Sequence, residues 1–164
     1  GVVLGAKLVL AAGIGLLYGV AGVVGLVAAG APVLSAVGDG AFLGDPQVVR
    51  ALLLGVLVTG LWAVLGTGFG AVVPHQVAAV VAILAFTQFV EPIARLALGA
   101  VDGLSVVSAY LPGAAADAVV GASLFSQMGD VDLLPAWAGA LVLLGYAAAL
   151  TLAGRLTTFA RDVV

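Results

Sequence analysis

Long apolar stretches, separated by a few charged or turn-forming residues, set the layout of this chain. No formal charge falls between residues 8 and 38, and about 20 apolar residues at helical rise suffice to cross a bilayer core. The pattern predicts a first span over 6–29, with Gly30, Pro32 and Gly38 marking its exit. A polar loop follows, "SAVGDGAFLGDP", and its last two residues read as a helix start, an Asp45 cap before Pro46 in the first turn. A second span is expected over 47–72. "PHQ" (Pro74, His75, Gln76) is the one break in an uncharged stretch from 51 to 90. That stretch is too long for one pass, so a tight helical hairpin turning at Pro74 is expected. A third span then covers 77–98.

Residues 99–134 change character. Asp102, Asp117, Asp130 and Asp132 punctuate them, and the apolar runs between are too short to cross. A structureless loop of that length is unusual. Its Ala, Val and Leu content predicts two short helices lying at the membrane surface or dipping into it. Pro135 opens a fourth span over 135–154, with Trp137 suited to the interface, and "RLTTFARDVV" is the polar exit. The expected fold is all-α, a polytopic transmembrane bundle of about four spans with short re-entrant or interfacial helices before the last.

Composition strengthens this reading. Of 164 residues, 64% are hydrophobic and 8% charged, with a mean hydropathy of +1.34, whereas a soluble domain carries about 25% charged residues. The chain has no cysteine, which excludes disulfides and thiolate metal sites. No run of Lys or Arg suggests nucleic acid. The first residue is Gly1 and the single methionine is Met128, so a missing N-terminal part is expected, and residues 1–30 do not resemble a signal peptide. Four spans put Lys7, the His75 turn and the Arg155/Arg161 tail on one side, and Arg50 and Arg95 on the other. The small excess of basic residues assigns the Lys7 side to the cytoplasm.

Little in the chain suggests chemistry. "GTGFG" (66–70) lacks the Lys-Ser/Thr of a phosphate loop and sits inside a span, so close helix packing is the preferred reading. Gly15 and Gly19, with Ala11 one turn earlier, have the same small-residue spacing. His75 has no nearby acid or cysteine and reads as a polar turn residue. Asp117 is either a pathway residue or, the preferred reading, an acid on the solvated face of a surface helix. Glu91, Pro92 and Arg95 form the best constellation. Glu91 and Arg95 share a helix face four residues apart. Arg95 is placed to snorkel towards headgroups, and Pro92 removes a backbone donor and bends the helix. This group is either a structural clasp, the preferred reading, or a polar gate at the mouth of a translocation path. Exchanging Glu91 and Arg95 should then recover part of what either single change loses.

Six segments taken in order, "AKLVLAAGIGLLYGVAGVV", "GFGAVV", "FVEPIARLAL", "YLPGAAADAVVG", "PAWAGALVLLGYAAALTLAG" and a closing "RDV", resemble the ABC transporter type 2 permease family. These are the membrane subunits of bacterial ATP-driven exporters. The resemblance covers essentially the whole chain and implies that residues 1–164 are the last four of six spans, a single permease domain. It places the break of the fifth family span at Glu91–Pro92 and short re-entrant helices at "LPGAAADAVVG". It implies a separate ABC ATPase as partner, a second permease copy, a lipid bilayer of the bacterial cell membrane as surroundings, and no catalytic residue or cofactor on this chain. The turn at 74–76 departs from the basic residue usual there, and the segments that grip the ATPase lie outside this sequence. Rival readings are a secondary transporter or channel fragment in which Glu91 or Asp117 relays protons, and a passive membrane assembly subunit. A carrier would favour inverted repeats and broken helices, and the sequence has neither.

Overall fold

The computed structural model describes residues 2–38, 43–73, 75–101, 103–123 and 133–157. The expectations for Pro74, Asp102, Asp130, Asp132 and the Arg161 tail lie outside the described residues. Every regular element among those described is helical. In chain order these are α1 (Val2–Val37), α2 (Pro46–Val72), α3 (Gln76–Ala85), a π-helical turn (Phe86–Val90) and α4 (Glu91–Gly99). Then come α5 (Ser105–Ser108), α6 (Pro112–Val120) and α7 (Ala136–Thr157). Four continuous helical stretches are long and apolar enough to cross a membrane: α1, α2, the run Gln76–Gly99, and α7.

The helix ends follow local chemistry. Asp45 has extended backbone angles, and its Oδ1 accepts from the Gln47 N–H at 2.7 Å, with Pro46 at the first helical position. His75 caps α3 in the same way, its Nδ1 accepting from the Ala78 N–H at 3.3 Å. The first helix departs from expectation, because Pro32 lies inside it and the helix runs on to Val37. One proline deletes one backbone bond, while the Ala, Val and Leu around it carry the rest of the ladder. Gly38 is the true stop, turning the chain with φ of 99°, a conformation other residues resist.

Two packing seams hold the bundle together. α1 lies on α2 through glycine, since a Cβ on Gly15 would sit 2.6 Å from Ala63 Cβ and one on Gly19 would run into Thr59. In lipid, where tails are as apolar as the helices, such close backbone approach supplies the van der Waals contact that drives association. α7 meets α2 likewise, with Gly154 against Ala71 and Gly68 against Leu150 and Thr151. Gly66 and Gly70 of "GTGFG" face open space, so Gly68 alone of the three packs a helix.

The core is where α2, α6 and α7 converge. Val58 and Leu65 of α2, Ala115, Ala116 and Val119 of α6, and Leu143 and Ala147 of α7 form one buried cluster. α6 is the most enclosed element: six of its nine residues are buried, four of them alanine. Small side chains let this short helix descend between two spans. A Cβ on Gly139 of α7 would lie 2.5 Å from the Ala115 carbonyl oxygen, so the two backbones almost touch. α6 is thus enclosed within the bundle rather than lying on its outside. By contrast α3 meets α2 at few points, and a cleft lies between them.

Candidate functional site

The run Gln76–Gly99 changes pitch before its polar residues arrive. Over Phe86–Val90 the hydrogen bonds lengthen to π spacing, and the Glu91 N–H reaches back to the Phe86 carbonyl. Pro92, one position on, has no N–H to offer. A π turn carries one extra residue, which rotates everything after it by about 100° relative to a continuous α-helix. Glu91 and Arg95 lie beyond that rotation and meet α6.

α6 begins without a cap of its own. Leu111 at the N-cap has no side-chain oxygen, and Pro112 follows at the first helical position. The free N–H groups of Gly113 and Ala114 donate instead to Glu91 Oε1, at 2.6 and 3.1 Å. Arg95 donates to the same oxygen from Nε at 3.1 Å and Nη2 at 2.7 Å. One carboxylate oxygen therefore receives four donors and caps a helix 22 residues further on. The positive end of the α6 dipole adds to this attraction. Gly113 is required here, since any Cβ would strike Arg95 Nη2 and Glu91 Oε1.

The third arm of the guanidinium, Nη1, donates to Asp117 Oδ2 at 2.8 Å. Ser123 Oγ donates to that same oxygen, also at 2.8 Å. Gly121, with φ of 80°, ends α6, and its N–H bonds the Asp117 carbonyl at 2.8 Å. That turn folds Ser123 back onto the Asp117 side chain. The side chains are 3% exposed for Glu91, 10% for Arg95 and 33% for Asp117, so the network is driest at Glu91 and wettest at Asp117.

These positions amend three expectations. Arg95 does not snorkel; it lies between two carboxylates, because α6 brings Asp117 within reach of Nη1. Asp117 lies on the more open side of α6, a third exposed, but that helix is packed into the bundle and the carboxylate is held by Arg95 and Ser123. The break at Glu91–Pro92 is a change of pitch within a continuous helix. The Glu91–Arg95 ion pair itself is present at 2.7 Å. His75 stands apart as the exposed α3 cap. Sequence reasoning missed Gly113 and Ser123. A helix start at "LPG" with no capping side chain is a signal that something remote must cap it.

The cleft between α2 and the Gln76–Gly99 run has two chambers. A polar one of about 350 Å³ is lined by Glu91, Arg95 and Asp117, and an apolar one of about 350 Å³ by Leu65, Phe69 and Ile83. Trp62 and Thr87 line both. Among the described residues no three His, Cys, Asp or Glu side chains gather as a metal site would need. The arrangement clasps helices beside an open cleft.

Fold and site together define a polytopic α-helical membrane protein with a short helix clasped inside the bundle. No protein-family model, no curated protein and no solved structure matches the chain.

Proposed function

We propose that this chain is part of a permease subunit of an ATP-driven exporter in the bacterial cell membrane, working with a separate ATPase and a second permease copy. The observation that carries the reading is α6, a nine-residue helix that enters the bundle between α2 and α7 and is held there by Glu91. The family resemblance calls for short re-entrant helices at that place in the chain, directly after a break at Glu91–Pro92. A helix of this kind closes one end of a path while leaving the other open, which suits a subunit driven from the opposite face. The proton-carrier alternative rests on Glu91 or Asp117, and both carboxylates are engaged as clasps, Glu91 Oε1 by four donors and Asp117 Oδ2 by Arg95 and Ser123.

Purification of the full-length protein from its native membrane tests the proposal. The expected result is an ABC ATPase in fixed ratio with the permease, with ATP hydrolysis by the complex and none by the permease alone. Sustained solute movement driven by a proton gradient, with no ATPase present, would overturn it.

A further inference from the structure

The two chambers of the cleft differ in chemistry and share a wall. The apolar chamber is built from Leu65, Phe69, Ile83, Phe86 and Leu150. Its neighbour carries three charged side chains. Each volume, near 350 Å³, falls at the lower end of the roughly 300–1,000 Å³ typical of small-molecule sites. A site that is greasy at one end and charged at the other selects an amphipathic ligand.

The sign of the charge follows from the hydrogen bonds. Glu91 is buried, and its Oε1 is taken by Arg95 and by the α6 N–H groups. Arg95 directs Nε, Nη1 and Nη2 to carboxylates, which commits its fork to partners already in place. Two acids against one base leave a formal charge of one negative, and the α6 dipole offsets it on the Glu91 side. The remainder falls on Asp117, the most exposed of the three. Trp62, on the shared wall, adds an aromatic face of the type cations prefer.

We propose that this cleft binds an amphipathic monocation, with its apolar body in the chamber of Leu65, Phe69 and Ile83 and its cationic head beside Asp117 and Trp62. Binding requires neither ATP nor a partner protein, so the inference stands or falls separately from the export reading.

Trp62 is a built-in reporter. Residues 1–164 hold two tryptophans, and Trp137→Phe, with any tryptophan outside these residues also replaced by Phe, leaves Trp62 as the reporter. The full chain carrying that change, in phosphatidylcholine nanodiscs, is titrated with three bromoalkyl amphiphiles of equal chain length: a trimethylammonium, a sulfate and an uncharged alcohol. Bromine quenches tryptophan at close range. The expected result is saturable quenching, with the trimethylammonium half-saturating at a concentration about tenfold below the other two, a ratio within reach of one poorly screened charge contact. Asp117→Asn should erase that preference while quenching by the alcohol persists, which also shows that the cleft remains formed. Ala82→Phe, filling the apolar chamber, should abolish saturation for all three and decides the matter if Asp117→Asn does not fold. Equal quenching by all three amphiphiles overturns the proposal. So does quenching that tracks lipid partitioning without saturation, or a cation preference that survives Asp117→Asn.

Discussion

Glu91 has two tasks at once. It neutralises Arg95, and it satisfies two backbone donors at the start of α6. Removing one partner of a buried ion pair typically costs about 3–5 kcal/mol, because the other charge is left uncompensated. Arg95→Gln, which strips both Glu91 and Asp117 of their cation, should lower stability by an amount in that range, and Glu91→Gln, which leaves Arg95 its Asp117 partner, by less, both read from chemical unfolding in detergent. The two tasks separate in the exchanged pair. From the sequence alone, exchange should recover part of the loss, since only the ion pair is then in view. The structure reverses that expectation: an arginine at position 91 has only donors to present to the Gly113 and Ala114 N–H groups. The exchanged protein should be no more stable than the worse single variant, and recovery of half the lost stability would show that the α6 cap contributes little.

At the scale of elements, the all-α fold and the start of α2 were legible because their causes are local, long apolar runs and an Asp45 that caps within two residues. His75, read as a polar turn residue, also caps α3, while α1 runs past its expected end to Val37. What was not legible depends on residues far apart in the chain. The π turn at Phe86–Val90 breaks the regular period by which a helix face is read, so the direction of Arg95 beyond it could not be extrapolated. Asp117 meets Arg95 across 22 positions, and nothing near Asp117 announces that partner. Glycine roles were equally hidden, because "GTGFG" spaces its glycines evenly while only Gly68 lies against a neighbour. Two substitutions expose the difference. Gly66→Ala, with nothing within 4 Å of the added Cβ, should be neutral or stabilising by up to about 1 kcal/mol. Gly154→Ala would place its Cβ 2.6 Å from Ala71 Cβ and should cost about 1–3 kcal/mol, as overpacking does. Unfolding midpoints that move alike for the two would contradict the α2–α7 seam.

For the whole molecule, the direction of crossing sets the membrane face nearer to which α6 lies. The expectation drawn from the basic residues is a His75 turn in the cytoplasm and Leu43, exposed just before α2, outside. Residues 1–164 contain no cysteine, so once any cysteine outside them is replaced by Ser, single introduced cysteines report the assignment. In full-length protein in intact cells, an impermeant thiol reagent should label Leu43→Cys, and His75→Cys only after permeabilisation. Labelling of His75→Cys from outside would invert the bundle and put α6 at the cytoplasmic end. The bare apolar side chains of α1, among them Val9, Leu17 and Tyr18, are suited to lipid tails or to further helices.

The remote cap on α6 also has a consequence for the order of assembly. A nine-residue helix is well short of the roughly 20 residues that cross a bilayer core, so the machinery that inserts nascent spans has no reason to take it in. Its walls are not complete until α7 has been synthesised and has entered the membrane. The expected order is therefore that α6 docks after this later segment, between two helices already in place. During that interval Glu91 sits in the membrane without the backbone donors it will eventually hold. Arg95, one turn away on the same helix, is the partner available from the moment of synthesis. It acts as an internal escort for the carboxylate until α6 arrives.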